Sequence, residues 1–354
     1  MTRVNVLIVD DSAFMRKLIT SFLQEDPRIN VVGTARNGID ALDKIKKYNP
    51  DVVTLDVEMP EMNGIEALRQ IMNEYPRPVV MLSSTTKEGA ENTLLAIQYG
   101  AVDFISKPSG SISMDLHLIK DEMVSKVLLA GKVNVDLLKK PLNIQEETTN
   151  KLVDYSKIEL DSNVNVKKIV CMGTSTGGPR ALQQVLPKFP KNFPSPIVIV
   201  QHMPAGFTKS LADRLNGLCE ITVKEAENGE FLKAGTAYIA PGGFHMKIKK
   251  IGTTLAVNID ETEIRNGHRP SVDVLFESIS EIKGIPKIAV IMTGMGSDGS
   301  NGLIKLKETG QVFSIAESKD TSIVFGMPKA AIETNLVDKV DNLDDIASTV
   351  LRFT

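Results

Sequence analysis

The sequence predicts a two-domain α/β protein in which each domain is built on a parallel β-sheet. Short apolar runs alternate with amphipathic segments along most of the chain. The length of 354 residues exceeds that of one typical domain. A polar stretch with little hydrophobic periodicity divides the two halves, as is typical of a linker. We expect domains over residues 1–125 and 167–354, joined by a linker over 126–166.

The first half is predicted to be a flavodoxin-like (βα)5 domain. Five apolar runs of strand length cover residues 4–9, 31–35, 52–56, 79–83 and 102–105. Ser12 can cap the first helix, in which Phe14, Leu18 and Phe22 fall on one face at four-residue spacing. This succession of β/α units predicts an open parallel sheet with helices on both faces.

The second half is predicted to be a doubly wound, Rossmann-like α/β domain. Strands are expected over residues 169–173, 197–201, 221–225, 237–240 and 288–293. Helices are expected after Pro179, Phe207, Ser271 and Gly299. Between Phe231 and Ile259, short alternating runs broken by Gly and Pro indicate a small antiparallel β excursion.

Composition and charge exclude several classes of function. The chain carries 41 basic and 44 acidic residues, so no global positive field would attract nucleic acid. No helix-turn-helix pattern is present either, which disfavours a DNA-binding output domain. The apolar stretch at the N-terminus is too short for a signal peptide, and no other segment approaches transmembrane length. We therefore expect a cytoplasmic protein with no direct membrane insertion and no nucleic-acid partner.

Acidic residues follow two predicted strands of the first domain. Asp10 and Asp11 end the first strand and Asp56 ends the third, and the carboxyl ends of parallel strands meet at one crevice. A single Asp at such a turn is commonly a helix cap, but converging carboxylates favour a hard divalent cation such as Mg²⁺. Lys107 follows the fifth strand and adds a positive charge. A carboxylate in this setting can attack a phosphoryl donor and become an aspartyl phosphate.

Four motifs in this region carry a resemblance to a known family. They are Val-Asp-Asp-Ser, Leu-Asp-Val-Glu-Met-Pro-Glu-Met-Asn-Gly, Met-Leu-Ser-Ser and Gly-Ala-Val-Asp-Phe-Ile-Ser-Lys-Pro. With them, residues 1 to about 125 resemble the receiver domain of two-component response regulators. The resemblance implies Asp56 as phosphoacceptor, with Asp10, Asp11, Asp56 and the Glu58 carbonyl as Mg²⁺ ligands.

The same resemblance implies residues that respond to the phosphoryl group. Lys107 would contact it, and Ser83 and Phe104 would act as switch residues. Ser84 competes with Ser83 for that role.

A glycine-rich turn opens the second domain. Gly-Thr-Ser-Thr-Gly-Gly-Pro follows a strand and begins a helix, which places Ser175 near a helix N-terminus that favours negative charge. Its Gly-x-Ser-x-Gly pattern fits a nucleophile elbow, but the pattern is short. The turn could instead bind a nucleotide phosphate, although it lacks the Walker ending and the Gly-x-Gly-x-x-Gly spacing. Both interpretations stay open on the turn alone.

A serine nucleophile needs a base, and the chain has four histidines. His202 ends the strand after Ser175 and would emerge beside it in a parallel sheet. His117 belongs to the first half. His245 and His268 could line the cleft or satisfy backbone groups.

The third member of a triad would be a carboxylate that orients the imidazole. Asp298 ends another strand, in a glycine-rich loop, and is our candidate, with a helix N-cap as its alternative role. The main chain of Met295 in the same loop could donate to an oxyanion. The order Ser, His, Asp differs from that of α/β-hydrolases, so we do not expect that fold.

Six motifs carry a second resemblance. They are Gly-Thr-Ser-Thr-Gly-Gly-Pro, Gln-His-Met-Pro-Ala-Gly-Phe-Thr, Ile-Ala-Pro-Gly-Gly-Phe-His, His-Arg-Pro-Ser-Val-Asp-Val-Leu-Phe, Thr-Gly-Met-Gly-Ser-Asp-Gly and Val-Phe-Gly-Met-Pro. With them, residues 167 to 352 resemble the catalytic domain of the chemotaxis protein-glutamate methylesterase (CheB) family. The implied roles are Ser175 as nucleophile, His202 as base, Asp298 as orienting carboxylate, and Met295 and Thr176 at the oxyanion. Thr174 departs from the Ala or Ser expected there.

The resemblance also implies an activity and its partners. The enzyme would remove methyl esters from glutamyl side chains of chemoreceptors, releasing methanol, and deamidate receptor glutamines. A chemotaxis histidine kinase would phosphorylate the receiver, which would bind Mg²⁺, whereas the esterase would need no cofactor. A nucleotide-binding output domain is the competing class, and its ligand binding would survive Ser175→Ala.

Overall fold

The computed structural model describes residues 3–107, 116–139 and 168–354. The chain divides into two compact units between Pro141 and Leu142. Most of the expected linker, from residue 140 onward, lies outside the described residues. None of the described helices combines the length and the apolar character that crossing a membrane requires.

The described part of the first unit alternates strands and helices. Its elements are β1 Val4–Val9, α1 Ala13–Gln24, β2 Ile29–Ala35, α2 Gly38–Tyr48, β3 Val52–Asp56, α3 Gly64–Glu74, β4 Val79–Ser83, α4 Lys87–Gln98, β5 Asp103–Ser106, α5 Leu116–Ala130 and α6 Asp136–Lys139. The strands lie in the order β2-β1-β3-β4-β5 and all pair in parallel. The predicted flavodoxin-like sheet is confirmed.

Helix α1 begins where its cap predicts, but it buries a different face. The Ser12 hydroxyl accepts the Met15 amide at 3.4 Å. Ile19 and Leu23 are fully buried, whereas Phe14, the first member of the expected apolar series, is 60% exposed. The four-residue spacing therefore identified a helix but not the side that packs.

Helix α5 continues through residue 125, the expected end of the first domain. Val127 and Ala130 are fully buried and Leu138 is 2% exposed. A Cβ at Gly131 would lie 3.1 Å from Cγ1 of Val4 on β1. The helical residues up to 139 thus pack on the first unit.

The second unit contains a larger parallel sheet and one hairpin. Its elements are β6 Ile169–Thr174, α7 Gly178–Val185, β7 Ile197–Gln201, α8 Phe207–Asn216, β8 Thr222–Glu225, β9 Thr236–Ile239, β10 His245–Ile251, β11 Thr254–Asp260, α9 Val272–Ser280, β12 Lys287–Ile291, α10 Ser300–Thr309, β13 Val312–Glu317, α11 Met327–Glu333, β14 Lys339–Asp341 and α12 Leu343–Phe353. A 3₁₀ turn covers Leu186–Lys188.

The sheet order β14-β13-β12-β6-β7-β9-β8 places β6 between β7 and β12. All pairings within this sheet are parallel, and β10 and β11 form the expected antiparallel excursion. The chain leaves β6 toward one side of the sheet and later returns on the other. This reversal opens a crevice at the carboxyl ends of β6, β7 and β12.

Two strands and two helices at the C-terminal end were missing from the prediction. Strands β13 and β14 have the sequences VFSIAE and KVD, which mix apolar and polar residues over short lengths. Helices α11 and α12 follow them. Short mixed segments carry little periodicity, so strands of this kind are hard to predict from the sequence pattern.

Gly302 sets how closely α9 and α10 approach. A Cβ there would lie 2.6 Å from Cβ of Phe276 and 3.0 Å from Cα of Asp273. We expect Gly302→Ala to force the helices apart and to lower the free energy of unfolding by about 1–3 kcal/mol. The control is Lys305→Ala, a change at an exposed position on the same helix that should lower the free energy of unfolding by under about 0.5 kcal/mol. Thermal melting of the two variants measures the difference. Equal melting temperatures for the two variants would contradict the packing argument.

Candidate functional site

The first unit brings three carboxylates and one ammonium group together. Asp10 follows β1 and Asp56 ends β3, the neighbouring strand, and both side chains are buried. Lys107 Nζ lies 3.0 Å from Asp10 Oδ2 and 2.6 Å from Asp56 Oδ2. Carboxylate oxygens of Asp10, Asp11 and Asp56 all lie within 4.8 Å of one another. All four predicted side chains therefore converge.

The charges in this cluster do not balance. Three carboxylates against one ammonium leave an excess of two formal negative charges. Burial raises the pKa of Asp56 to about 6, Asp10 contributes to the rise, and Lys107 opposes it. Burial alone would lower the pKa of Lys107, but Asp56 and Asp10 raise it. The carboxylate oxygens as ligands and the excess of negative charge both suit a hard divalent cation.

The two candidate switch serines differ in their surroundings. The Ser83 hydroxyl, at the end of β4, is buried and donates to the Gly89 carbonyl at 3.0 Å. The Ser84 hydroxyl lies 3.4 Å from the Glu58 carboxylate instead. Phe104 is buried in β5, with Lys126 Nζ 5.2 Å from its ring centroid. The switch roles themselves stay predictions, as does the Glu58 carbonyl as a ligand.

In the second unit, Ser175 lies in the turn between β6 and α7. Its amide donates to the Thr293 carbonyl at 3.0 Å, and its carbonyl accepts from the Gly178 amide at 2.7 Å and Gln201 Nε2 at 3.0 Å. Gly177 caps α7 with φ 80°, a conformation that favours glycine. The turn is thus pinned by residues that follow or end β12 and β7.

The glycines of this turn have packing reasons. A Cβ at Gly178 would lie 2.0 Å from Gln201 Oε1, and one at Gly173 would lie 2.5 Å from Cγ1 of Val272. The side chain of Thr174 is fully buried and donates to the same Gln201 oxygen at 2.7 Å. Side chains of the protein fill the space beside these glycines, which disfavours the nucleotide-binding interpretation.

His202 follows β7, directly beside this turn. Its amide donates to the Thr174 carbonyl at 3.1 Å, and its side chain is 5% exposed. Nε2 lies 2.8 Å from Asp298 Oδ2, whereas no described residue makes a hydrogen bond to Nδ1. An ionised carboxylate only accepts, so the proton of the neutral ring lies on Nε2. The lone pair on Nδ1 is therefore available as a base.

The Asp298 carboxylate is 2% exposed and surrounded by donors. These donors are Asn266 Nδ2 at 2.9 Å, Ser271 Oγ at 2.8 Å, the amides of Val272 at 2.6 Å and Asp273 at 3.1 Å, and His202 Nε2. Burial alone would raise the pKa of Asp298, but His202, the Val272 amide and Asn266 hold it well below its usual range. Because two donors are the first amides of α9, the helix dipole also favours the charged form.

A second buried carboxylate, Asp273, was not found from the sequence. It lies in the first turn of α9, and its Oδ1 accepts the Gly299 and Gly302 amides at 2.9 and 2.7 Å. Asp298, just before α10, accepts from the start of α9, and Asp273 accepts from the start of α10. The two helices thus cap each other. The signal in the sequence was Ser-Val-Asp at a helix start.

The remaining candidate histidines have different environments. His245 is fully buried, with Nδ1 accepting the Ser271 amide at 3.2 Å and Nε2 2.9 Å from the Glu263 carbonyl. Burial lowers the pKa of His245, so it satisfies backbone groups as a neutral ring. His268 stacks on His202 with ring centroids 3.9 Å apart and an interplanar angle of 13°.

The predicted oxyanion loop after β12 packs against Ser175. A Cβ at Gly294 would lie 2.8 Å from Cβ of Ser175, so only glycine permits this approach. The Thr293 hydroxyl donates to the Thr176 carbonyl at 2.9 Å. Met295 follows Gly294 and Thr176 follows Ser175, so both lie next to this close contact. Their role at an oxyanion stays a prediction.

Glu317, at the end of β13, is a further buried carboxylate that sequence reasoning missed together with its strand. Its Oε2 accepts the Thr293 amide at 2.7 Å and its Oε1 accepts the Thr321 hydroxyl at 3.0 Å. Burial raises the pKa of Glu317 to about 7, against these opposing hydrogen bonds.

The two units define a class: response regulators that carry an enzyme as their output. Residues 6–118 match the family model for the response regulator receiver domain, and residues 170–350 match that for CheB methylesterase. The chain belongs to the CheB methylesterase family.

Curated relatives and a solved structure agree with this assignment. The protein-glutamate methylesterase/protein-glutamine glutaminase of Halalkalibacterium halodurans is 56% identical over 99% of this chain and 98% of its own length. The protein of the same name from Bacillus subtilis (strain 168) is 49% identical over 98% and 97%. The crystal structure of the Thermotoga maritima CheB methylesterase catalytic domain is 49% identical, with a TM-score of 0.52, and covers 53% of this chain and 98% of that one.

Glu317 makes stability depend on pH. Its pKa is raised in the folded state from 4.5 to about 7, so its stabilising effect is complete below pH 4.5 and is lost as the pH rises through 7. We expect Glu317→Gln to raise the free energy of unfolding by up to about 3 kcal/mol at pH 8, with little change at pH 4.5. Thermal melting across this pH range measures the difference. The same difference in melting temperature between wild type and Glu317→Gln at every pH would contradict this prediction.

Proposed function

We propose that this chain is a phosphorylation-activated hydrolase that removes methyl esters from glutamyl side chains of chemoreceptors and deamidates receptor glutamines. The relatives' names supply the reaction, and the observation that carries it here is the buried His202–Asp298 pair beside Ser175. Chemoreceptors are then the substrate, a chemotaxis histidine kinase is the phosphodonor, and the cytoplasm is the site of action.

In the first step, Ser175 attacks the ester carbonyl while His202 Nδ1 takes the hydroxyl proton. Asp298 stabilises the imidazolium that forms, and its low pKa keeps it ionised throughout. The amides of Met295 and Thr176 stabilise the oxyanion. The imidazolium then protonates the leaving oxygen, and methanol departs.

In the second step, water attacks the acyl-enzyme while His202 accepts its proton. The imidazolium then gives this proton to the leaving Ser175 oxygen, which releases glutamate and restores the serine and the neutral base. A glutamine side chain follows the same path with ammonia as the leaving group. No described residue makes a hydrogen bond to His202 Nδ1, and we expect its bond to the serine to form when substrate binds, as is common for catalytic hydrogen bonds.

The first unit supplies control. Asp56 accepts the phosphoryl group and Lys107 holds it, and Asp10, Asp11, Asp56 and the Glu58 carbonyl would hold Mg²⁺. Bound Mg²⁺ would offset the excess negative charge beside the incoming phosphoryl group. Ser83 and Phe104 respond to its arrival.

We propose a domain division that serves this control. The receiver covers residues 1–125 together with the helical residues packed on it to 139, a linker follows to 166, and the catalytic domain covers 167–354. A tether of this length keeps the receiver at high effective concentration beside the catalytic domain, so a weak docking contact suffices for inhibition. Phosphorylation must favour the undocked state by its differential free energy.

Methanol release from a methylated receptor fragment tests the proposal. Ser175→Ala should lose at least about 10³-fold in rate, because the nucleophile is gone. Ser348→Ala, an exposed serine on α12, should match wild type. Full activity in Ser175→Ala would refute the hydrolase assignment, whereas binding without hydrolysis by the wild type would favour an adaptor.

The control site has its own test in the same assay. We expect a small phosphodonor with Mg²⁺ to stimulate the wild type but not Asp56→Asn, whose basal rate should persist. Equal stimulation of both proteins would show that the phosphoryl group acts elsewhere.

Metal binding is measurable without catalysis. Mg²⁺ should raise the melting temperature of the first unit, since a ligand that binds only the folded state stabilises it. Asp11→Asn removes an exposed member of the cluster and should weaken the Mg²⁺-dependent shift. A shift of the same size in Asp11→Asn would exclude that carboxylate as a ligand.

A further inference from the structure

A two-residue turn reaches both members of the His202–Asp298 pair. The amide of Arg265 donates to the His268 carbonyl at 3.2 Å, and the amide of His268 donates back at 2.9 Å. Between them, Asn266 and Gly267 have φ values of 55° and 79°. Positive φ at both central positions is the signature of a type I′ turn, for which Asn-Gly is a preferred sequence.

The side chain at the first central position holds the carboxylates. Asn266 Nδ2 donates to Asp298 Oδ1 at 2.9 Å and to Asp273 Oδ2 at 2.8 Å. Asn266 therefore ties the turn to the two helices that cap each other. The turn cannot shift without breaking these bonds.

The residue that closes the turn covers the imidazole. The rings of His268 and His202 lie 3.9 Å apart at 13°, close to parallel, and the His202 side chain is 5% exposed. The hydrogen bond from Nε2 to Asp298 fixes one edge of the His202 ring. The plane of the ring can still tilt about this hydrogen bond. Contact with a flat ring face removes this rotation, because tilting His202 would drive it into His268.

We propose that His268 is a positioning residue whose ring holds His202 with Nδ1 directed at Ser175. The inference rests on the proposed role of His202 as the base. His268 would act through the flat face of its ring, which would also stabilise the positive charge that His202 gains when it takes the serine proton. This role needs the face of the ring and not a ring nitrogen, so phenylalanine should replace it.

The test compares wild type, His268→Phe, His268→Ala and Ser175→Ala as full chains with phosphodonor and Mg²⁺. We expect His268→Ala to lower kcat by about 3- to 30-fold, which corresponds to the loss of one ring contact on the reacting group. KM and the melting temperature should stay at wild-type values, because the proposed role of His268 acts on His202 and not on substrate binding or on the core. His268→Phe should recover kcat to within about threefold of wild type.

Three results would overturn this inference. Wild-type kcat in His268→Ala would show that the stack does no positioning. An equal loss in His268→Phe would show that the ring face is not what matters. A rise in KM at unchanged kcat would make His268 a substrate contact instead. Each of these three results requires that the control variant Ser175→Ala is inactive. Activity in Ser175→Ala would instead refute the proposed function itself.

Discussion

The catalytic half of the molecule depends on one buried charge, the Asp298 carboxylate. Removing an ion from water costs several kcal/mol unless donors replace the lost hydration. Here the donors are the start of α9, the hydroxyl of its N-cap Ser271, the Asn266 amide and the ring of His202. Satisfying the charge therefore fixes a helix, a turn and an imidazole relative to one another.

Both units place buried carboxylates at the carboxyl ends of parallel strands. The negative charge of these carboxylates is balanced differently in the two units. Among the described residues, Asp56 forms an ion pair with Lys107 beside other carboxylates, and burial raises the pKa of Asp56 to about 6. Asp298 faces mostly neutral donors, and its pKa is lowered. The first arrangement retains excess negative charge that suits a divalent cation. The second keeps one carboxylate ionised and immobile, as orienting an imidazole requires.

Much of the fold could be predicted because its strands are buried on both faces. The continuous apolar runs of β1, β6 and β7 mark parallel strands directly in the sequence. Where a strand mixes polar residues, as β13 does, the pattern fails, and Glu317 was missed with it. Helix α5 passed the expected boundary because the packing of Val127 and Ala130, rather than composition, decides where the first unit ends.

For the site, the sequence by itself determined which strand ends carry Ser175, His202 and Asp298, because each follows its own apolar run. Tertiary structure alone decided what surrounds them. Asn266 and His268 reach the site on a turn beyond the β10–β11 hairpin, and Asp273 joins through the contact between α9 and α10. Asn266 is distant along the chain from Asp298, His268 from His202, and Asp273 from the start of α10. Local periodicity indicates where a strand begins and ends, whereas such contacts depend on how separate elements pack once the whole chain has folded.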